Sequence, residues 1–297
     1  MYNFNNIRNN FIGLFDSGFG GLSVLNYCLK LMPNENYVFY ADSTNCPYGK
    51  RTRENLVEIG KNIIFKFNKF NPKSLIIACG TMSTSNPVEL RIPFPNLNII
   101  GTYPNFEHIL KPNMVIENHN ISYSLNDGLS INRDRIRILI LATTATCRSP
   151  YLKEKVNLYK NLLDIYVEPA DMIVKAVEND EIDSFYLRNY LTDLLKTYYD
   201  VNYVVLGCTH FPFAKDVIAS IINNKAILTS GCEVAANECY KYLENKNSLA
   251  SAQVNNNPKI IIVDANLDEK RKNTFFRLLD ADSSKYDIIF ESDINLV

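Results

Sequence analysis

Phe11-Ile12-Gly13-Leu14-Phe15-Asp16-Ser17-Gly18-Phe19-Gly20-Gly21-Leu22-Ser23-Val24-Leu25 is the stretch on which the fold turns. Phe11 to Phe15 reads as a short buried strand, and Gly21 to Met32 as a helix opened by glycines. A strand that turns through glycines straight into a helix is the start of a βαβ unit. The pattern then repeats. Further strands are expected at Tyr37 to Tyr40, Leu75 to Ala78, Leu97 to Ile100, Arg137 to Ala142, Tyr203 to Leu206, Lys259 to Val263 and Asp287 to Phe290. Thr52 to Phe70 carries Leu56, Ile59, Ile63, Ile64 and Phe67 at helical spacing. Helices are also expected near Pro150 to Leu162, Asp171 to Glu178, Ser184 to Tyr199, Phe213 to Ile222, Val234 to Glu244 and Glu269 to Leu279. Alternating strands and helices predict an α/β fold with parallel sheets covered on both faces. Ligands in such folds lie beyond the carboxyl ends of the strands. Asn113 to Asp134 is polar and non-periodic, and reads as a long loop or an inserted hairpin.

The chain has 297 residues, with 31 basic and 32 acidic side chains and a formal net charge of -1. Its length suggests about two domains. A hydrophobic fraction of 46% with 21% charged residues argues against disorder. Balanced charge argues against a nucleic-acid partner, which would call for a basic excess. No apolar run approaches the roughly 18 residues of a membrane span, so no membrane association is expected. Met1 to Asn10 is polar and does not resemble a secretory signal. Seven cysteines is an odd number in a long chain, which suits free thiols in a reducing cytoplasm better than a disulfide framework.

Four strand ends carry chemistry. Asp16 to Gly21 is either a tight strand-to-helix turn or a set of amides suited to a carboxylate or phosphate. It matches neither the P-loop nor the dinucleotide fingerprint. Ala41-Asp42 leads to Cys46-Pro47-Tyr48-Gly49, which by itself reads as a turn. Cys79-Gly80-Thr81 and Cys208-Thr209-His210 each place a cysteine at the end of a buried strand before a helix start, a setting that lowers a thiol pKa, although either cysteine alone reads first as a buried core thiol. The two matching contexts suggest pseudo-symmetric halves facing one cleft. Cys-X-X-Cys redox spacing is missing, and Cys208 with His210 is an awkward metal chelate, so no metal is expected. Two facing thiols can instead act as acid and base on opposite faces of a carbon, inverting a stereocentre, with Asp16 and His210 adjusting their protonation. Exposed amides after Asp16 and the hydroxyls of Thr81 and Thr209 are candidate donors for carbanion charge. Cys28, Cys147, Cys232 and Cys239 read as core or surface thiols, and Cys46 receives no role. His108 and His119 read as solvated or core histidines, and Asp268 to Lys272 as a solvated helix face.

Taken together, the motif around Asp16, Tyr40-Ala41-Asp42 with Pro47-Tyr48-Gly49, Ala78-Cys79-Gly80-Thr81, and Leu206-Gly207-Cys208-Thr209-His210-Phe211-Pro212 resemble the glutamate racemase family in order and spacing. Leu141 to Thr146, with Ser149 and Tyr151, and Val177-Glu178 are weaker matches. The resemblance implies two similar doubly wound α/β domains with parallel-rich sheets and the active site in the cleft between them. The first would comprise 1–103 plus 229–297, and the second 104–228, with the insertion near 113–134. It implies a cofactor-independent racemase interconverting L- and D-glutamate by two bases, supplying D-glutamate for bacterial peptidoglycan, as a cytoplasmic homodimer with a small-molecule substrate. An aspartate or other acidic substrate is the alternative. Cys79 and Cys208 would be the acid/base pair, with Asp16 assisting Cys79, and Glu178 and His210 assisting Cys208. Asp16, Ser17, Pro47, Tyr48, Gly49, Gly80, Thr81, Thr143, Thr146, Cys208, Thr209 and His210 would contact substrate. This chain departs from the family's pattern in having Gly80 where Asn is usual, Tyr103-Pro104 where Glu-Pro is common, and Lys175 near an expected proline.

Overall fold

The computed structural model describes residues 2–85, 87–109, 114–117, 120–123, 135–222, 225–252 and 257–293. The chain runs β1 (Ile12–Asp16), α1 (Leu22–Leu31), β2 (Tyr37–Ala41), α2 (Arg53–Asn68), β3 (Ser74–Ile77), α3 (Gly80–Ser85), α4 (Pro87–Arg91) and β4 (Ile99–Gly101). A hairpin follows, β5 (Met114–Glu117) and β6 (Asn120–Tyr123), within the segment expected to be a loop or hairpin. Then come β7 (Ile136–Ala142), α5 (Thr144–Arg148), α6 (Pro150–Tyr159), β8 (Leu163–Pro169), α7 (Asp171–Asn179), α8 (Phe185–Leu195), β9 (Tyr203–Leu206), α9 (Lys215–Ile221) and β10 (Ile227–Ser230). The chain closes with α10 (Gly231–Asn245), β11 (Lys259–Asp264), α11 (Glu269–Leu278) and β12 (Asp287–Glu291). No described helix is long and apolar enough to cross a membrane.

The six-stranded sheet has the order β12-β11-β2-β1-β3-β4 and the four-stranded sheet the order β10-β9-β7-β8. Every pairing in both is parallel. Strands β1 to β4 lie in the order β2-β1-β3-β4, and β7 to β10 in the matching order β8-β7-β9-β10. The two sheets therefore repeat one doubly wound plan, with the winding reversed beside β1 and β3 in one and beside β7 and β9 in the other. The α/β class and the two similar sheets agree with the sequence reading. The strands it missed, β8 and β10, are edges of the smaller sheet. Their residues are only partly buried, and Ile227 is exposed, so neither shows the continuous apolar run of a central strand.

Local chemistry explains the helix starts. Thr52 caps α2 by accepting from the Asn55 amide, Ser149 caps α6 ahead of Pro150, and Ser184 caps α8. One core lies between α2 and the large sheet, built on Phe11, Phe15, Ile63, Phe67 and Leu75. A Cβ on Gly13 would fall 2.8 Å from Phe67 and from Leu75, so glycine sets how closely α2 approaches β1 and β3. A second core runs without a break from the other face of that sheet, through Leu14, Phe39 and Phe275, into Leu139, Ile173 and Leu191 beneath the smaller sheet. The two sheets are thus welded by apolar packing as well as by chain crossings.

Tyr103, after β4, and Gly231, after β10, mark the places where the chain passes between sheets, and they touch. A Cβ on Gly231 would lie 1.8 Å from the Tyr103 carbonyl oxygen. Backbone cannot yield to such a clash as a flexible side chain can. Gly231→Ala is therefore expected to lower the free energy of unfolding by about 3 kcal/mol, at the upper end of overpacking costs. Urea denaturation followed by circular dichroism would measure it.

Candidate active site

The reversal of winding opens a crevice at the carboxyl ends of β1 and β3 and another at those of β7 and β9. Asp16 ends β1 and Cys79 follows β3, while Thr143 follows β7 and Cys208 follows β9. The two crevices face one another and share contacts. Asp16 is fully buried. Its Oδ1 accepts from the Ser17 amide at 2.6 Å, and its Oδ2 accepts from the Thr209 hydroxyl of the opposite half at 2.9 Å. The Cys79 thiol interacts with the same carboxylate. Burial pushes the Asp16 carboxyl up to about 6, against the lowering effect of His210, Thr209, Ser17 and Cys79. Burial, then the nearby Asp16 charge, push the Cys79 thiol well above its ordinary value, opposed by the Met82 amide.

The second thiol has different company. Cys208 Sγ lies 3.6 Å from His210 Nδ1, and His210 Nε2 lies 2.7 Å from Glu178 Oε1. Burial disfavours the imidazolium, but the hydrogen bonds to Cys208 and Glu178 outweigh it and hold His210 well above its ordinary value. Burial likewise acts to raise Glu178, yet His210, the Phe19 amide and Arg271 bring its carboxyl below the usual range. The imidazole thus bridges the Cys208 sulfur and the Glu178 carboxylate.

The glycine turn binds a carboxylate, and that carboxylate belongs to this chain. Glu178 Oε1 accepts from the Phe19 amide at 2.8 Å. A Cβ on Gly18 would lie 2.1 Å from Glu178 Oε1, and one on Gly20 would lie 2.4 Å from His210 Nδ1. The glycines leave room for the second half's acid and base. With the Ser17 and Phe19 amides committed to Asp16 and Glu178, those two donors do not face an empty site as the sequence reading expected.

Hydroxyls also join the halves. Thr81 Oγ1 lies 3.1 Å from Thr143 Oγ1, which donates to Thr146 Oγ1 at 3.0 Å. Ser23 donates to the Thr209 carbonyl at 2.7 Å and lies 3.2 Å from Cys232 Sγ, bracing Thr209 from behind. Burial pushes Cys232 up to about 11. The buried Tyr48 hydroxyl donates to Asp42 Oδ2 at 2.8 Å, and Asn45 also donates to Asp42. The Cys46-Pro47 peptide is cis, and a Cβ on Gly49 would face Ala145 of α5 at 4.0 Å. Burial, followed by Glu178 and Asp16, pushes the Cys46 thiol up to about 12. It is a third thiol at the rim. A cavity of ≈ 600 Å³ lined by Tyr40, Asp42, Asn45 and Lys66 shares Asp42 with this turn, but neither Cys79 nor Cys208 lines it.

The sequence reading missed Arg271 and Asp264. Asp268 to Lys270 are exposed as expected of a solvated face, but Arg271 turns inward. Its guanidinium stacks 4.3 Å over the Phe19 ring and its Nε donates to the buried Asp264 at 2.7 Å. A charge run in sequence gives no sign of which member points inward. Cys28, Cys232 and Cys239 are buried thiols and Cys147 is half-buried, as expected. His119 lies outside the described residues.

Fold and site together define an α/β protein of two matching parallel sheets, with a buried cysteine after an equivalent strand of each. No protein-family model matches the chain. Glutamate racemase of Clostridium perfringens strain ATCC 13124 is 32% identical over 243 residues, spanning 81% of this chain and 86% of that one. Glutamate racemase of Clostridium botulinum strain Alaska E43 is 32% identical over 266 residues, spanning 89% and 94%. The structure of Francisella tularensis glutamate racemase in complex with D-glutamate superposes with a TM-score of 0.74 at 21% identity, covering 95% of this chain and 98% of that chain. The chain belongs to the glutamate racemase family.

Asp16 makes stability depend on pH. Its folded value of about 6 lies above the 3.8 of an ordinary Asp, so the folded state binds more protons between them and stability falls as pH rises through that window. The difference corresponds to about 3 kcal/mol. Asp16→Asn should remove this slope. Unfolding free energies of both proteins from pH 4 to pH 7 should diverge by that amount, the wild type losing stability.

Proposed function

We propose that this protein interconverts L- and D-glutamate by a two-base mechanism, with Cys79 and Cys208 as the acid/base pair. The observation that carries the reading is that the two thiols follow equivalent strands, β3 and β9, at the winding reversals of two matching sheets, and that Thr209, next to Cys208, donates to Asp16 on the Cys79 side. In one direction a thiolate at one cysteine takes the Cα proton. That C–H bond breaks, and the S–H bond of the opposite cysteine breaks to form a new C–H bond on the other face. Turnover leaves the two sulfurs with exchanged protonation states. Asp16 assists Cys79, beside which its carboxylate lies. Glu178 and His210 assist Cys208, with His210 Nδ1 beside Sγ.

The carbanion-like charge formed at Cα requires donors fixed in place. Ser17, Thr81, Thr143, Thr146 and Thr209 place hydroxyls at the cleft, and Gly80 its backbone. Thr209 and Thr143 would have to turn from Asp16 and Thr146 to donate to substrate. Because the Tyr48 hydroxyl is engaged by Asp42, the Pro47-Tyr48-Gly49 turn would meet substrate through its main chain. Sheet membership supports the two-domain division, 1–103 with 229–297 against 104–228, except at the second boundary, since β10 of the smaller sheet runs to Ser230. The family supplies the remaining setting: a cytoplasmic homodimer making D-glutamate for peptidoglycan, with no added cofactor.

Chiral chromatography of L- and D-glutamate after incubation with the protein tests the assignment. Both enantiomers should converge on a racemic mixture, and Cys79→Ser or Cys208→Ser should each slow this by about 10²- to 10⁴-fold, the ordinary worth of a positioned acid or base. Interconversion of aspartate but not glutamate would transfer the assignment to the alternative acidic substrate.

Gly80 has a consequence of its own. A Cβ there would lie 3.1 Å from the Gly207 carbonyl oxygen, one residue before Cys208. This glycine therefore sets how closely the two thiol-bearing strand ends approach. Gly80→Ala should push them apart by a few tenths of an ångström and lower kcat about tenfold, since small misplacements of acid/base groups are costly. Steady-state racemisation kinetics would measure the loss.

A further inference from the structure

We propose that Arg271 is a positioning residue for the Cys208 half of the reaction, acting through Glu178; this rests on the two-thiol reading above. Arg271 Nη1 lies 4.0 Å from Glu178 Oε2, while Oε1 of the same carboxylate takes the Phe19 amide and faces His210 Nε2. The guanidinium is itself held by two residues. Its Nε and Nη2 lie 2.7 and 2.6 Å from Asp264 Oδ2, and its plane stacks on Phe19. Asp264 is fully buried, and its other oxygen accepts from Ser43 and from the Asn266 amide at 3.0 Å. Asp268 caps α11 by accepting from the Arg271 amide at 2.7 Å, which fixes the backbone from which the side chain departs.

The result is a row of alternating charge, Asp264, Arg271, Glu178 and His210, ending at Cys208 Sγ. The charged and titratable groups facing Glu178 are His210, Arg271 and the Cys46 thiol. On the Cys79 side, Asp16 is held by the Ser17 amide and the Thr209 hydroxyl. A guanidinium stacked on an aromatic ring keeps its direction better than an ammonium would. Arg271 therefore restrains the rotation of Glu178 and keeps Oε1 aimed at the imidazole.

The test uses Arg271→Gln and Arg271→Lys in the full chain, with Glu178→Gln as a background. Arg271→Gln should lower kcat about tenfold with KM little changed. On the Glu178→Gln background the same change should cost nothing further, because the residue acts through that carboxylate. The isotope effect with L-[2-²H]glutamate, whose deuteron the family resemblance assigns to Cys208, should rise relative to that with the D enantiomer. Equal additive losses on both backgrounds, or isotope effects that move together, would overturn the proposal. A second readout needs no turnover. The hydrogen-bonded His210 Nε2 proton should give a low-field NMR signal that weakens in Arg271→Gln and partly returns in Arg271→Lys. An unchanged signal would overturn the role of Arg271 even if the wild type proved inactive on glutamate, whereas an inactive wild type with the expected NMR change would count against the proposed substrate alone.

Discussion

A carboxylate buried between two halves of the molecule is the constraint around which this site is arranged. Asp16 has no solvent to stabilise its charge, so protein donors must replace it. One comes from the next residue in the chain, Ser17, and another from Thr209 of the opposite sheet. That second bond ties the loop carrying Cys208 to the strand end beside Cys79. Ser23 braces Thr209 from behind, and a Cβ on Gly21 would press on Asp16 from 2.8 Å. The position of one catalytic half is thus set by the need to satisfy a charge in the other.

The halves repeat a plan of strands but differ in their acid–base partners. Cys79 is paired with a carboxylate, and Cys208 with an imidazole that is itself backed by a carboxylate. The difference follows from what each strand end faces. The glycine turn after β1 brings bare backbone against the second half, leaving space for Glu178 and His210, and nothing equivalent follows β7, where Thr143 and Thr146 close the turn with hydroxyls. A site that must handle mirror-image substrates is therefore built from matching strands and unmatched helpers.

Much of this was legible in the sequence, for physical reasons. Central parallel strands are buried on both faces and appear as unbroken apolar runs, and the residues after them fall at the crevice, so Asp16, Cys79 and Cys208 could be singled out directly. Edge strands β8 and β10 lack that signature and went unseen. The target of the glycine turn was also hidden: amides at a helix start attract an anion, but pattern alone cannot say that the anion is Glu178, far along the chain. Arg271 was concealed by its exposed neighbours, because helical phase near a terminus does not reveal a single inward-turned side chain.

The claim that two opposed thiols share one reaction is tested most directly by proton bookkeeping during the first turnovers in deuterated water. Starting from D-glutamate, the L-glutamate formed should carry deuterium at Cα, while recovered D-glutamate keeps its original proton; the reverse experiment should mirror this. Return of the substrate's own proton to the product, or early deuteration of the starting enantiomer, would mean that a single base serves both faces and would contradict the account.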